Sequence, residues 1–401
     1  MSIVDVVIIG AGPAGTAAAV TLARAGRSVV VLDKASFPRD KICGDGLTTG
    51  ALRQLDTLGL RPETVASWQP VDDVVVHGPS GRTVTFPLPR GQGHFAVVAR
   101  RVDLDASLVE LARAAGAAVH EGHAFDRIDT FDDHVVVHAD GLDAFAARFV
   151  IGADGMWSPL RKALGVNTAG YLGEWHAFRQ YFHSVAPSAA TDLHVWFEPD
   201  LLPGYVWSFP LPGSRANVGF GIQRGARIRT RDMVRLWPEI LARPHIRDVL
   251  GEAAMAESPH RAWPIPARVD SVQLTCGRAL FVGDAAAATD PMTGEGIGQA
   301  LQSGILAAEA ICAGGALDPA RVRASYTAAV HRHLAADHRM SQQLLRLLRH
   351  RRGAEAALRI VAASAWSRRN FARWLFEDYP RAVLVTPSRW RRGMFGGRGA
   401  Y

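Results

Sequence analysis

A glycine-rich segment between an apolar strand and an alanine-rich helix constrains this chain more than any other feature. Residues 10–15 have the sequence GAGPAG and follow residues 3–9, which are β-branched except for Asp5. Gly10 suits a tight turn, Gly12 lets a phosphate approach the backbone, and Gly15 permits close packing of helix on strand. A helix over residues 17–25 then presents free N–H groups to an anion. The pattern predicts a dinucleotide-binding βαβ unit.

An acidic residue stands where such a unit needs one. Residues 28–32 are predicted to form the second strand, and Asp33 follows it, 18 residues after Gly15. A carboxylate at that spacing can accept hydrogen bonds from both hydroxyls of an adenosine ribose. We therefore assign Asp33 and its neighbour Lys34 to the nucleotide site.

A second glycine-rich segment lies nearly three hundred residues further along the chain. It contains Gly283-Asp284, followed by Pro291, Gly294 and Gly296. The first segment alone indicates only a dinucleotide phosphate on a helix N-terminus. Together, the two segments predict FAD bound in an extended pose, with one end at each segment.

Composition favours a cytoplasmic enzyme. Hydrophobic residues make up 48% of the 401, which is ample for a large core. No apolar run approaches the ~18 residues of a membrane span. The three cysteines, Cys43, Cys276 and Cys312, have neither a disulfide framework nor metal-ligand spacing. The histidines show no metal-like cluster, so we expect no metal site.

The positive charge is concentrated at the C-terminal end. Residues 321–401 contain seventeen arginines, no lysine and four acids, a local balance of +13 against +7 for the whole chain. Such a region suggests a membrane surface or an acidic partner. No nucleic-acid-binding module is visible, so no nucleic-acid partner is expected. The alternative is a solvated helical cover packed on the FAD domain.

Five segments together resemble the geranylgeranyl reductase family, within the p-hydroxybenzoate-hydroxylase-like flavoproteins. The resemblance extends from about residue 4 to residue 313. The Lys-x-Cys-Gly-x-Gly and Tyr-x-Trp-x-Phe-Pro patterns are the selective ones. The segments are residues 10–15 (GAGPAG), 37–46 (FPRDKICGDG), 101–108 (RVDLDASL), 205–210 (YVWSFP) and 283–296 (GDAAAATDPMTGEG).

The resemblance implies further cofactor contacts. Arg101, rather than Arg100, would reach the FAD pyrophosphate with its guanidinium. Ala124 would contact adenine through its backbone, and Asp284 would hold the ribityl chain. Asp154 would belong to a second phosphate-side motif, with a structural helix cap as the alternative. The full set of assigned cofactor-binding residues is Gly10, Gly12, Ala14, Gly15, Asp33, Lys34, Cys43, Gly44, Gly46, Arg101, Ala124, Asp154, Gly283, Asp284, Pro291, Gly294, Gly296 and Ile297.

Two features point to the substrate side. In the resembled family Cys43 lies near the flavin ring, where it could donate a proton, act as a gate or pack against the ring. A lone cysteine is more often a small buried hydrophobe. Tyr205, Trp207 and Phe209 alternate and so share one face of a strand. They either line an apolar cavity suited to an isoprenoid chain or belong to plain core.

The predicted architecture is α/β, with a discontinuous Rossmann-like FAD-binding domain, an inserted antiparallel-sheet substrate domain and a C-terminal helical appendage. The FAD-binding domain is predicted over residues 1–67, 101–166 and 276–320. The substrate domain is predicted over 68–100 and 167–275. The basic helical region is predicted over 321–401.

The resemblance implies an FAD-dependent reductase of carbon–carbon double bonds in a prenyl or other long apolar chain. Reduced flavin would deliver hydride, and a proton would reach the other carbon from solvent or a nearby acid. The electron donor, NAD(P)H or another reductant, stays open. The alternatives are an FAD-dependent monooxygenase or halogenase acting on an aromatic or polyketide molecule, and a non-catalytic prenyl-binding escort.

Overall fold

The computed structural model of the protein describes residues 3–89, 94–315 and 318–390. Its strands are β1 (Val4–Ile9), β2 (Val29–Asp33), β3 (Gly46–Thr48), β4 (Gln69–Pro70), β5 (Asp73–His77), β6 (Thr83–Pro87), β7 (Ala96–Val98), β8 (Ala118–Glu121), β9 (Phe125–Thr130), β10 (Val135–Ala139), β11 (Phe145–Gly152), β12 (Trp175–His183), β13 (Leu193–Trp196), β14 (Tyr205–Leu211), β15 (Arg215–Gln223), β16 (Met255–Ala256), β17 (Arg261–Ile265), β18 (Thr275–Cys276) and β19 (Ala279–Phe281).

The helices are α1 (Pro13–Arg24), α2 (Thr49–Thr57), α3 (Arg101–Ala114), α4 (Pro159–Ala163), α5 (Pro187–Thr191), α6 (Met233–Leu241), α7 (Pro244–Leu250), α8 (Ile297–Gly314), α9 (Pro319–Val330), α10 (Ala336–Leu348), α11 (Arg351–Ala362) and α12 (Ala365–Leu375). A π-helical turn (His331–Ala335) joins α9 to α10. In the described part of the chain, no helix is both long and apolar enough to cross a membrane.

A parallel sheet organises the N-terminal half. Its strand order is β18-β19-β11-β1-β2-β8, and the pairs from β19 to β8 are parallel. The β9–β10 hairpin extends it beyond β11. Val6, Val7 and Ile8 are fully buried because a central parallel strand is covered on both faces. The sheet is Rossmann-like, as the glycine pattern predicts.

The first helix begins at Pro13, not at Ala17 as predicted. Proline suits the first helical position because its missing N–H would be unpaired there. Gly26 follows the helix with φ +73°, which a glycine adopts without strain. Helix α1 packs on α8 so closely that a Cβ on Gly304 would lie 2.1 Å from the Ala14 carbonyl oxygen.

A second sheet has the order β16-β12-β15-β14-β13-β5-β6, with β17 also paired to β12. Its pairs are antiparallel, as predicted, apart from β5 with β13, which run parallel. The long connection from β5 to β13 lets the two strands run in the same direction. A third sheet has three strands in the order β3-β7-β4.

The C-terminal helices pack against the second sheet. Leu358, Ala372 and Phe376 share one buried cluster with Val74 and Phe86 of that sheet. The region is therefore more than a cover on the FAD-binding part, because it completes the core behind the substrate sheet. The predicted region runs to residue 401, and its residues 391–401 lie outside the described ones. The predicted domain limits stay predictions.

Candidate functional site

A cavity of about 1070 Å³ is lined by residues of the parallel sheet, the second sheet and the C-terminal helices. Gly15 is the one assigned residue that does not line it. The assigned residues that do are Gly10, Gly12, Ala14, Asp33, Lys34, Cys43, Gly44, Gly46, Arg101, Ala124, Asp154, Tyr205, Trp207, Phe209, Gly283, Asp284, Pro291, Gly294, Gly296 and Ile297.

The three glycines of the first segment differ in what they allow. A Cβ on Gly15 would lie 1.8 Å from the Gly10 carbonyl oxygen, so Gly15 is needed for packing. Gly10 has φ +104° and lies against the Ala153 backbone. A Cβ on Gly12 would meet only the guanidinium nitrogens of Arg39 and Arg101, at 3.7 and 3.9 Å. The backbone at Gly12 is therefore open to an anion, opposite two cations.

A buried aspartate holds both cations in place. Asp105 accepts two hydrogen bonds of 2.7 Å from Arg101 and one of 2.7 Å from Arg39. Burial alone would raise the pKa of Asp105, but the two guanidinium groups hold it below its ordinary value. One carboxylate between two guanidinium groups leaves a net positive charge facing Gly12, which suits a pyrophosphate.

Two further acids of the nucleotide end bond to the backbone. Asp33 accepts the N–H groups of Ala11 at 2.7 Å and Ala35 at 2.9 Å. Asp154 accepts the Leu160 N–H at 3.0 Å at the start of α4. This hydrogen bond supports the alternative role of Asp154 as a helix cap. Its Oδ1 is buried without a hydrogen-bond partner, and burial raises the pKa of Asp154 to about 6. Ala124 also lines this end, with its carbonyl bonded to the Asp140 N–H.

Asp284 forms an ion pair of 2.7 Å with Lys41 across the middle of the cavity. Burial would raise the pKa of Asp284, but the Lys41 ammonium lowers it below its ordinary value. The carboxylate is therefore charged at neutral pH. It provides a strong acceptor for hydroxyl groups at the position assigned to the ribityl chain.

The loop around Cys43 is tied to the second sheet through Asp45. Tyr181 donates to Asp45 Oδ2 at 2.6 Å, and Asn217 donates to the same oxygen at 2.8 Å. Asn217 also donates to the Cys43 carbonyl and accepts the Trp207 indole N–H at 3.1 Å. Burial, followed by the charge of Asp45, raises the pKa of the Cys43 thiol. Cys43 is therefore a neutral thiol at neutral pH.

The aromatic residues of β14 form one wall. Successive ring centroids of Tyr205, Trp207 and Phe209 lie 6.1 Å apart. A Cβ on Gly46 would lie 3.2 Å from the Phe209 ring, so glycine there lets the Cys43 loop approach the wall. The Tyr205 hydroxyl donates to the Thr293 carbonyl and so joins this wall to the second glycine-rich segment.

The C-terminal helices supply a second apolar wall, which was not predicted from the sequence. Its members are apolar and come from α10, α11, α12 and the residue after α12. They are Leu344, Leu347, Leu348, Ala354, Ala357, Leu358, Ile360, Val361, Phe371, Trp374, Leu375 and Phe376. In the sequence, the alternation of these apolar residues with arginines at helical spacing was the signal that could have identified this wall.

A cluster of three acids and one arginine lies where this wall meets the second glycine-rich segment. Arg381 Nε lies 3.4 Å from Asp290, and its Nη2 lies 3.5 Å from Glu377. Glu295 lines the cavity and accepts the Gly298 N–H at 2.7 Å. No roles for these four residues or for Asp45 and Asp105 were predicted from the sequence. Contacts remote in sequence bring several of them into the site, such as Asp290 with Arg381 and Asp45 with Tyr181.

These features fit FAD. The open backbone at Gly12 with two cations opposite suits a pyrophosphate, and charged Asp284 suits the ribityl hydroxyls. The loop containing Pro291, Gly294 and Gly296 precedes α8, whose N-terminus favours negative charge. In the described residues, no group of three or more histidine, cysteine, aspartate or glutamate side chains could hold a metal ion.

Comparisons with known proteins agree with this geometry. Residues 3–316 match the family model of the FAD binding domain. The chain is 35% identical over 341 residues to the menaquinone reductase of Mycobacterium tuberculosis, covering 76% of each chain. It is 32% identical over 314 residues to digeranylgeranylglycerophospholipid reductase 2 of Methanopyrus kandleri, again covering 76% of each.

Solved structures share the fold. A geranylgeranyl bacteriochlorophyll reductase-like protein of Thermoplasma acidophilum superposes with a TM-score of 0.77 at 21% identity, covering 97% of this chain and 100% of the other. The halogenase PltM, in complex with phloroglucinol and FAD, superposes with a TM-score of 0.71 at 19% identity, covering 94% and 83%.

Proposed function

This chain belongs to the geranylgeranyl reductase family of FAD-dependent oxidoreductases, and we propose that it reduces carbon–carbon double bonds in a prenyl chain. The cofactor is FAD. The supporting observation is one continuous cavity that joins the glycine-rich segments to two apolar walls, Tyr205–Phe209 and the C-terminal helices. Apolar walls with few polar groups suit a long hydrocarbon chain.

Each part of the cavity has a distinct task in this proposal. Arg39, Arg101 and Gly12 bind the pyrophosphate, and Asp284 orients the ribityl chain. When bound, the reduced cofactor supplies a hydride. The aromatic wall aligns the alkene and excludes water, because a misplaced chain would not react.

A single-turnover assay tests this function. The protein is reduced with dithionite without oxygen and mixed with a menaquinone that has an unsaturated isoprenoid chain, or with a digeranylgeranyl glycerophospholipid. We expect flavin reoxidation and a product that has gained two hydrogens per bond, while the fully saturated chain gives neither. Turnover only with oxygen and an aromatic substrate, with or without halide, would instead favour the monooxygenase or halogenase.

We further propose that the cavity opens towards an anionic membrane. Leu347 and Ile360 line the cavity yet are 48% and 69% exposed, and Trp366 on α12 is 58% exposed. The arginines Arg351, Arg352 and Arg359 on α11 are exposed as well. Apolar side chains bordered by arginines suit a surface of anionic lipid, from which a prenyl chain could enter.

Vesicle co-sedimentation tests the membrane contact. We expect salt-sensitive binding to vesicles containing phosphatidylglycerol and little binding to pure phosphatidylcholine. Each arginine contributes about 1 kcal/mol near such a surface, so Arg351→Gln with Arg352→Gln should weaken binding about tenfold or more. The matched control, Arg235→Gln with Arg247→Gln, changes two exposed arginines of α6 and α7. Equal loss in both pairs, or no binding at all, would contradict this contact.

A further inference from the structure

The Glu295 carboxyl lies where the second glycine-rich segment meets both apolar walls. It lines the cavity directly before α8, and its Oε1 accepts the Gly298 N–H at 2.7 Å. Two residues earlier, the Thr293 carbonyl accepts the Tyr205 hydroxyl. Glu377, after α12, lies in the same charged cluster. The carboxyl therefore borders the space assigned to the alkene.

The charges around Glu295 do not balance if every acid is ionised. The groups that face it are Asp290 in its own loop, Glu377 and Arg381 in the C-terminal region, and Tyr205 on β14. The side chain of Arg381 is 1% exposed and can neutralise one carboxylate. Asp290 takes that charge, with further hydrogen bonds from Ser341 and the 292–293 backbone. One of the two glutamates must therefore hold a proton.

Hydrogen bonds place that proton on Glu295. Glu377 accepts Thr48 at 3.1 Å with one oxygen and Gln299 at 2.8 Å with the other, which suits an ionised carboxylate. Glu295 Oε2 receives no hydrogen bond from the described residues. Burial, followed by the charge of Glu377, raises the pKa of Glu295 well above its usual range. Burial also raises the pKa of Glu377, but Arg381 opposes that shift.

Other titratable groups at this end of the cavity are poorer donors. The Tyr205 proton is already donated to the Thr293 carbonyl. Burial raises the pKa of Asp45 to about 6, which leaves it mainly ionised at neutral pH. The Cys43 thiol has a pKa above its ordinary value and is a weak acid. A carboxylic acid that titrates near neutrality is the better match to general-acid catalysis.

We propose that Glu295 is the acid that protonates the alkene, and that Glu377 is the positioning residue that keeps Glu295 protonated. This inference rests on the proposed function. The Oε2–H bond breaks, and the alkene π pair forms a C–H bond with that proton. The other carbon would take the hydride that the reduced cofactor supplies, and the cofactor would be oxidised in the process. Water reprotonates the carboxylate between turnovers.

The competing explanation is that Glu295 only caps α8 through the Gly298 N–H. Glu295→Gln separates the two, because the glutamine oxygen can accept the same hydrogen bond but the amide is no acid. Glu309→Gln is the matched control, since Glu309 is an exposed residue of the same helix. Glu377→Gln tests the positioning role.

Anaerobic single turnover of the dithionite-reduced holoenzyme with the prenyl substrate gives the rates. Loss of a general acid costs about 10²–10⁴-fold, so we expect Glu295→Gln to react at least 100-fold more slowly with unchanged FAD content. Glu309→Gln should match the wild type. The wild-type rate should fall as pH rises through the Glu295 pKa. Glu377→Gln should move this fall to lower pH, because it removes a neighbouring negative charge.

Infrared spectroscopy gives a readout that needs no turnover. The holoenzyme at neutral pH should show a carboxylic acid C=O band that disappears in Glu295→Gln. A Glu295→Gln rate within about threefold of wild type, or no loss of that band, would overturn the proposal. A wild type that fails to reduce any prenyl substrate would contradict the proposed function itself. The infrared band would then still report whether Glu295 holds its proton.

Discussion

The two ends of the cavity are lined by different kinds of chemical group. At the glycine-rich end, the lining is backbone and charged side chains, and the key residues Gly10, Gly12 and Asp33 lie within one βαβ unit. At the apolar end, the lining is side chains of β14 and of the C-terminal helices, which lie between about 135 and 171 residues apart in the sequence. Local sequence determines the first end, whereas long-range packing determines the second.

Two substitutions at the glycine-rich end should have different effects, one on FAD binding and the other on folding. Gly12→Val should fold but lose most of its FAD, because a side chain there has space in the protein yet blocks the pyrophosphate. Gly15→Ala should not fold properly, since its Cβ would lie 1.8 Å from the Gly10 carbonyl oxygen. The flavin-to-protein absorbance ratio and the melting temperature measure the two effects. Full FAD occupancy in Gly12→Val would refute the assignment of this end.

A substitution in the middle of the cavity should have the next largest effect, a loss of FAD affinity. Asp284→Ala removes the acceptor for ribityl hydroxyls and the ion-pair partner of Lys41. Each buried unpaired group costs about 1–3 kcal/mol, so FAD should bind about 5- to 150-fold more weakly. Fluorescence titration of the FAD-free protein measures this. Asp248→Ala, at an exposed position of α7, is the control and should bind FAD normally.

The difference between the two ends also explains what the sequence could predict. The Rossmann-like sheet, the second sheet and the C-terminal helices were predictable because hydrophobic period and glycine spacing are local signals. The sequence did not reveal that Glu377 meets Thr48 and Gln299, because these contacts join residues 329 and 78 positions apart. It also did not reveal Asn217, which bonds both to Trp207 and to the carbonyl of Cys43, 174 positions away.

Substitutions at the apolar end should impair substrate positioning rather than FAD binding. Trp207→Ala removes wall and the hydrogen bond to Asn217, whereas Trp207→Phe removes mainly the hydrogen bond. We expect Trp207→Ala to raise the apparent KM for a prenyl substrate about tenfold, because alignment depends on tight contact. Trp207→Phe should show a smaller increase. Unchanged kinetics in Trp207→Ala and Tyr205→Ala would show that this strand is plain core.

At the junction of the two ends, Asp45 should make stability depend on pH. It is fully buried, and its pKa rises to about 6 in the folded chain against about 3.9 in an unfolded one. The folded state therefore binds the proton more tightly, and wild-type stability should fall as pH rises between about 4 and 6.

Asp45→Asn cannot titrate, and asparagine tolerates the φ of +65° found there. Denaturant unfolding of both proteins gives the comparison. The difference in unfolding free energy should shift in favour of the variant by about 2–3 kcal/mol between pH 4 and pH 7. A constant difference across that range would show that Asp45 keeps an ordinary pKa.

The smallest effect is expected at Cys43, where the two ends meet beside Gly44 and Gly46. The raised pKa leaves a thiol rather than a thiolate, so nucleophilic or redox chemistry is disfavoured. If Cys43 packs as a small hydrophobe, Cys43→Ala should keep its FAD and stay within about threefold of wild-type turnover. Cys43→Ser, which keeps size but adds polarity, is the matched comparison. A large loss of activity or a changed number of reduced bonds in Cys43→Ala, with FAD still bound, would instead assign the thiol to protonation or to control of product release.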